Sequence, residues 1–318
     1  MFNILVLGGT GFVGRSVCEK LVERSGGADG PITVPSRHPA RAGDLLTLPT
    51  VEVDAANLYD DAQLARLVAG RDAVINLVGI LHGNDADFRR VHVDLPTRLA
   101  RACTAAGVRR LVHVSALGAD ANAPSMYLRS KAAGEAALLG AGLDLTLIRP
   151  SVIFGEHDRF MNRFAALQAV LPVLPLAGAN ARFQPVWVED VAAAIVDSLD
   201  QHWTVGQTIE CVGPRVATLR QLVLMAGRWS GHARAVIALP YVLGRLQAAL
   251  LELLPGEPLM SRDNLESMKV PNVASGKLPG LARFGLTAGS LDNVMPAFLG
   301  GRQGPGRLGP WRALAHAS

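Results

Sequence analysis

Cysteine is scarce in this chain of 318 residues. Cys18, Cys103 and Cys211 lie far apart and follow neither metal-ligand spacing nor a disulfide framework. That excludes a disulfide-stapled scaffold and points to a reducing compartment with buried thiols. Aromatic residues make up only 5% of the chain and charged residues 18%, with 31 bases against 27 acids and a net charge of +4. A polyanion binder shows a basic stripe interleaved with aromatics, and here the bases are scattered, so no nucleic-acid partner is expected. A nucleotide phosphate accounts for local arginines more economically. His38, His82, His92 and His113 show no ligand spacing, so no metal is expected either. Long uninterrupted apolar runs are lacking too. The nearest approach, Val236 to Leu254, is broken by Pro240, Gly244, Arg245, Gln247 and Glu252, whereas a spanning helix needs about 20 mainly apolar residues. No transmembrane segment is expected. The opening run Phe2 to Leu7 flows straight into a glycine motif, so it is a strand rather than an export signal. The expected location is the cytoplasm, with the periphery of the inner membrane as the alternative.

What the chain does have is apolar content, 49%, arranged in short runs: Ile4 to Leu7, Ile32 to Val34, Val51 to Val53, Ala73 to Leu77, Leu111 to Val114 and Leu145 to Ile148. Helical patterns separate them, the order of βαβ units and a parallel sheet. The runs are nearly all apolar, as fits a sheet covered on both faces. Gly11 to Glu23 places Phe12, Val13, Val17, Leu21 and Val22 on one side of a helix. Asp87 is the expected N-cap of a helix from Phe88 to Ala106, and Gly107 its stop. The fold class is therefore α/β: a Rossmann doubly wound parallel sheet over residues 1–150, with some later segments free to return to it. A smaller C-terminal α+β substrate-side domain follows over 151–299, and a Gly/Pro/Arg-rich tail over 300–318. Within 236–254, Leu239, Val242, Leu243, Leu246, Leu250, Leu253 and Leu254 form an amphipathic face. Internal packing is the simplest expectation for it, with a docked partner or a peripheral membrane contact as the alternatives.

The residues Gly8, Gly9, Thr10, Gly11, Phe12, Val13 and Gly14 spell G-G-T-G-F-V-G between a strand and a helix, the context in which a glycine-rich turn binds a dinucleotide. Gly8 permits the turn, Gly11 admits the pyrophosphate to the backbone, and Gly14 lets the helix sit close to the sheet. The helix N-terminus offers free N–H groups to the phosphates. The second strand ends Val34, Pro35, Ser36, Arg37, followed by Arg41, with no carboxylate for the ribose hydroxyls of NAD(H). Ser36 and Arg37 suit a 2′-phosphate, so NADP(H) is expected, NAD(H) remaining the alternative. Asp54, after the third strand, is the expected neighbour of the adenine.

With this start, Tyr127 and Lys131 in Y-L-R-S-K spacing resemble the catalytic pair of the short-chain dehydrogenase/reductase superfamily, in its extended or atypical epimerase/dehydratase branch. Four residues apart, they share a helical face. The resemblance implies that the lysine binds the nicotinamide ribose and that the phenol acts as general acid or base toward a carbonyl. The third member of that set, a Ser or Thr, is the second of two small residues ending the fifth strand. Here the pair is Ser115 and Ala116. The hydroxyl falls to Ser115, one residue out of register, and alternation along a strand turns it to the other face.

A longer resemblance runs through H-V-S-A-L-G-A (113–119), Y-L-R-S-K-A-A-G-E (127–135), R-P-S-V-I-F-G-E-H-D-R-F (149–160), Q-P-V-W-V-E-D-V-A (184–192) and L-P-G-L-A-R-F-G-L (278–286). These segments look like the NADPH-binding accessory subunits of respiratory complex I and their bacterial relatives. The resemblance implies that Gly8, Thr10, Gly11, Phe12, Val13 and Gly14 hold the pyrophosphate and Ser36 and Arg37 the adenosine phosphate. Leu77, Val78 and Gly79 would line the nicotinamide ribose, gripped by Tyr127 and Lys131, while Pro150, Val152 and Ile153 back the ring. It implies a structural, assembly or quinone-linked role beside a respiratory protein complex. The alternative is an active NAD(P)H-dependent oxidoreductase or epimerase working on a carbonyl or sugar-nucleotide-like substrate through Tyr127, Lys131 and Ser115.

Overall fold

The computed structural model describes residues 2–27, 30–253, 256 and 258–300; Leu254 and the tail after Gly300 lie outside them. The first half alternates strands and helices: β1 (Ile4–Leu7), α1 (Phe12–Ser25), β2 (Ile32–Ser36), β3 (Val51–Ala55), α2 (Asp61–Val68), β4 (Ala73–Asn76), α3 (Asp85–Arg89), α4 (Leu95–Ala106), β5 (Arg110–Val114), α5 (Met126–Leu139) and β6 (Asp144–Pro150). Beyond these come β7 (Ile153–Phe154), α6 (Met161–Val170), β8 (Val173–Leu176), β9 (Arg182–Phe183), β10 (Val186–Trp187), α7 (Val188–Asp200), β11 (Thr208–Cys211), β12 (Ala217–Thr218), α8 (Leu219–Trp229), β13 (Ala235–Ala238), α9 (Tyr241–Glu252), α10 (Arg262–Ser267) and α11 (Leu291–Gly300).

Seven parallel strands form one sheet in the order β11-β6-β5-β4-β1-β2-β3. Strand β11, from well past residue 150, closes its edge against β6. The chain reverses direction across the sheet between β1 and β4, and ligands of open α/β sheets bind at the carboxyl ends of strands at such a switch point. Both faces are covered. Val17, Cys18 and Leu21 of α1 and Val191, Ile195 and Leu199 of α7 share one core with the strands. Leu64 and Val68 of α2, Leu99 and Cys103 of α4 and Leu138 of α5 form the core on the other side. This is why inner strands such as β1 and β4 are nearly all apolar without alternation, whereas the edge strand β3 alternates valine with exposed acids. All three cysteines are free and buried. A second core gathers Phe154, Met161, Leu174, Phe183, Leu222, Val223 and Met295 from α6, α8, α11 and the three short ladders β10-β7, β12-β9 and β13-β8.

Two local readings need correction. The segment 85–106 is not one regular helix capped by Asp87. Asn84 is the cap, taking the Asp87 N–H on its side chain while the Asp87 carboxylate takes the Asn84 N–H, a reciprocal arrangement that satisfies two free donors. A π turn over Arg90–Asp94 then joins α3 to α4 and carries the buried His92. Asp54 lies inside β3, not after it.

The third correction concerns α9. Its buried residues are Gly244 and Ala248, and a Cβ on Gly244 would stand 2.7 Å from that of Ala177. Small residues let this side of the helix sit down closely, so the large ones face out. Val242 is 76% exposed, Leu246 and Leu250 58% each and Leu253 81%. At 100° per residue these side chains, with Leu243, fall within an arc of about 100°. Internal packing of Val242, Leu243, Leu246, Leu250 and Leu253 does not occur. No helix among the described residues is long and apolar enough to cross a membrane.

Candidate functional site

The glycine turn joins β1 to α1 at the switch point. Gly8 has φ +83°, a conformation that side chains rarely adopt, and a Cβ on Gly14 would stand 2.3 Å from the Gly8 carbonyl oxygen. Only glycine lets the helix start this close to the strand. The Gly11 N–H donates to the Gly8 carbonyl at 3.0 Å. No side chain caps α1, and its first turn carries no acid, so the N-terminal N–H groups and the positive end of the helix dipole suit an anionic pyrophosphate. Thr10 sits within the turn, and Val13 packs against the core beneath it. The Phe12 ring reaches the start of the second half, 3.2 Å from where a Gly155 Cβ would be.

The loop after β4 touches this turn. A Cβ on Gly8 would meet the Leu77 carbonyl carbon and the Val78 nitrogen at 3.2 Å. Asn76, fully buried, fixes the loop: its Oδ1 accepts the Val78 N–H at 3.1 Å, and its amide lies 3.1 Å from His113 Nδ1 on the neighbouring strand. Burial drives the His113 pKa down to about 3, with the Lys131 charge adding to the effect, so the ring is neutral.

Lys131 is buried, and its Nζ donates to the Val114 carbonyl at 3.2 Å. It stands 3.2 Å from where a Gly79 Cβ would be, and His92 Nε2 lies 3.6 Å from the same point. Burial lowers the Lys131 pKa to about 8, opposed by Glu135. Glu135 itself is tied to Arg149 through two hydrogen bonds, one of 2.8 Å. His92 Nε2 accepts the Ile80 N–H at 3.1 Å, which leaves the proton on Nδ1, 2.8 Å from Ser130 Oγ. Ser130 Oγ donates to the Tyr127 carbonyl at 2.8 Å. Burial first, and then the Lys131 charge, push the His92 pKa down to about 2.

The Tyr127 ring meets those of Phe88 and His92 edge-on, with centroids 6.1 and 5.7 Å apart, and packs on Ala116, Ala123 and Leu128. Burial raises its pKa. Among the described residues the phenol makes no hydrogen bond. Ser115 Oγ is buried and likewise has no hydrogen-bond partner, so it forms no bond to Tyr127 or Lys131. The structure brings Tyr127 and Lys131 together with the glycine turn and Leu77, Val78 and Gly79. It does not join the Ser115 hydroxyl to them.

At the end of β2, Ser36 Oγ accepts the His38 N–H at 3.1 Å, and Arg37 and Asp54 are exposed. Tyr59 stands nearby with the Arg90 guanidinium 4.2 Å over its ring. Burial raises the Tyr59 pKa, and the Arg90 and Arg37 charges oppose the rise. At the opposite end, Pro150, Val152 and Ile153 form the junction between the two cores, Ile153 packing on the first and Val152 on the second. Asn272 locks this junction. Its Oδ1 accepts from Ser151 Oγ at 2.6 Å and the Val152 N–H at 3.0 Å, and its amide donates to the Leu117 carbonyl at 3.4 Å. Val270 lies over Gly118, 3.6 Å from where a Cβ would sit. Asp158 serves its own loop, accepting the Gly155, Phe160 and Met161 N–H groups.

Sequence reasoning missed Asn76, His92, Asp263 and Asn272. Asn76 alone left a signal, a polar residue ending an apolar strand beside the glycine turn. A family described as NAD(P)H-binding matches residues 8–202. The chain belongs to this NAD(P)H-binding family. It is 34% identical over 296 residues, 90% of its own length and 77% of the relative's, to the mouse mitochondrial NADH dehydrogenase [ubiquinone] 1 alpha subcomplex subunit 9. The Neurospora crassa NADH-ubiquinone oxidoreductase 40 kDa subunit is 28% identical over 268 residues, covering 82% of this chain and 69% of that one. Among solved structures, this NAD(P)H-binding protein superposes on an NADPH-dependent quinone oxidoreductase of Escherichia coli with a TM-score of 0.72 and 22% identity, over 93% of this chain and 99% of that one. A dTDP-glucose 4,6-dehydratase of Streptomyces venezuelae gives a TM-score of 0.72 at 20% identity, over 97% and 99%. Both share the doubly wound fold.

Proposed function

We propose that the chain keeps NADP(H) as a resident cofactor rather than turning it over, and that it serves as an accessory component docked on a membrane-bound respiratory assembly. The observation that carries this reading is the state of Tyr127: its ring packs on a cluster that includes Ala116, the position at which the resemblance implies a hydroxyl, and Ser115 is bonded neither to it nor to Lys131. The strap through Val270 and Asn272 crosses the ends of β5 and β6, where a substrate would approach.

In this reading Gly8, Thr10, Gly11, Phe12, Val13 and Gly14 hold the pyrophosphate, and Ser36 and Arg37 take the 2′-phosphate. Asp54 flanks the adenine. Leu77, Val78 and Gly79 line the nicotinamide ribose, Lys131 donates to it, Tyr127 bounds it, and Pro150, Val152 and Ile153 back the ring. When bound, the nicotinamide supplies a hydride donor or acceptor. The absence of a carboxylate at the end of β2 favours NADP(H) over NAD(H).

The outward arc of α9 is the contact face. The relatives named above are respiratory-complex subunits, and an exposed apolar stripe of this kind marks an interaction surface. Tyr127→Phe tests the reading: cofactor retention and association with the membrane fraction are both expected to persist. An activity on a carbonyl or quinone substrate that vanishes in this variant while the cofactor stays bound would establish the oxidoreductase reading instead, which the intact Tyr127 and Lys131 pair favours.

A further inference from the structure

The N-terminal turn of α5, which carries Tyr127, is held from the other half of the molecule. Asp263 of α10 accepts the Met126 N–H on Oδ1 at 2.7 Å and the Tyr127 N–H on Oδ2 at 3.0 Å. It is 9% exposed and forms no ion pair among the described residues. Ser125, the helix's own cap, takes the Leu128 N–H at 3.2 Å, so these three donors are satisfied, two of them by a residue more than 130 positions away. A carboxylate here also faces the positive end of the helix dipole. The element bearing Asp263 is itself braced. Ser261 and Asn264 cap α10 reciprocally, Asn264 Nδ2 donates to the Leu81 carbonyl at 3.4 Å, and Leu265 packs with Ala177 and Ala248 of α9.

Because the Tyr127 phenol makes no hydrogen bond among the described residues, its position follows from ring packing and from the backbone that Asp263 fixes. We infer that Asp263 is a positioning residue for the nicotinamide half of the cofactor site: it sets α5 so that Tyr127, and Lys131 one turn on, meet the nicotinamide ribose. Through α10 it also ties that half of the site to α9, the outward apolar helix. The inference rests on the assignment of Tyr127 and Lys131 to the nicotinamide ribose. It does not depend on the choice between NADP(H) and NAD(H).

The test separates the two halves of the ligand. The full chain is freed of nucleotide and titrated with NADPH, NADH and the adenosine halves 2′,5′-ADP and ADP. Asp263→Asn, which keeps the volume but removes the charge and one acceptor, is expected to weaken the better-bound dinucleotide by about tenfold, the loss of about one charge-assisted hydrogen bond. Binding of the adenosine half is expected to stay unchanged, and Asp263→Glu to restore part of the loss. Ser125→Ala, which removes a cap from the same turn, is expected to lower thermal stability without this split. The inference is overturned if Asp263→Asn weakens dinucleotide and adenosine half alike, if it weakens neither, or if Ser125→Ala gives the same split. A preference for NADH in the parent chain would count against the NADP(H) assignment alone and leave the Asp263 comparison readable with NADH and ADP.

Discussion

Three buried titratable groups, His92, His113 and Lys131, lie around the loop after β4, and each gives the fold a pH dependence of known sign. His92 and His113 have pKa values near 2 and 3 instead of 6.5, so below pH 6.5 the unfolded chain binds protons that the folded chain refuses. Stability therefore falls as pH drops from 6.5 toward 3, by up to about 1.4 kcal/mol per pH unit for each histidine. Denaturant unfolding at a series of pH values checks this, and His113→Asn is expected to reduce the slope. Lys131 acts at the other end. Its pKa falls from 10.5 to about 8, so between those values the unfolded chain holds a proton that the folded chain has released, and stability rises with pH. Lys131→Met is expected to abolish that rise in nucleotide-free protein. Gly14 has a steric role. With 2.3 Å from its missing Cβ to the Gly8 oxygen, Gly14→Ala is expected to cost about 1–3 kcal/mol of stability by overpacking and to lose the cofactor. Folding with undiminished cofactor binding would show that the turn is not the phosphate site.

Among the elements, the strands of the Rossmann sheet were legible because burial on both faces leaves nearly unbroken apolar runs, and α1 and α5 because glycine and Y-x-x-x-K spacing mark them. Strand β11 escaped because four residues following a loop carry no period. The two-residue ladders carry none either. The π turn at His92 interrupts what reads as one helix from Phe88 to Ala106. Within the site, the glycine turn and the Tyr127–Lys131 pair stood out as local motifs. Asn76 with His113, 37 residues apart, and Asp263 with Met126, 137 apart, are contacts that only the fold creates. For α9 the sequence showed an amphipathic helix but not which face turns inward. Gly244 and Ala248 decide that, since they are the buried side of the helix and sit with Ala177. Because the leucines are exposed, Leu243→Glu with Leu246→Glu is expected to leave the melting temperature within about 2 °C, as surface changes of up to about 0.5 kcal/mol do. The same pair of changes is expected to abolish co-sedimentation with respiratory membranes. Unfolding of the variant would mean that the helix is core.

At the scale of the molecule, the architecture carries an NAD(P)H-binding fold and an exposed apolar helix, α9. The doubly wound sheet offers the switch-point crevice, and the second half reaches the ends of β5 and β6 through Asn272 and the start of α5 through Asp263. α9 lies on the outside of the same hairpin that carries Asp263. On the function proposed above, the chain holds a dinucleotide and is held by a partner. The direct measurement is to purify the protein, release its nucleotide by denaturation, identify it, and time the exchange of the bound form against labelled NADPH. Stoichiometric NADP(H) exchanging over hours is the predicted result. Exchange within seconds, or recovery of NAD(H), would contradict the account.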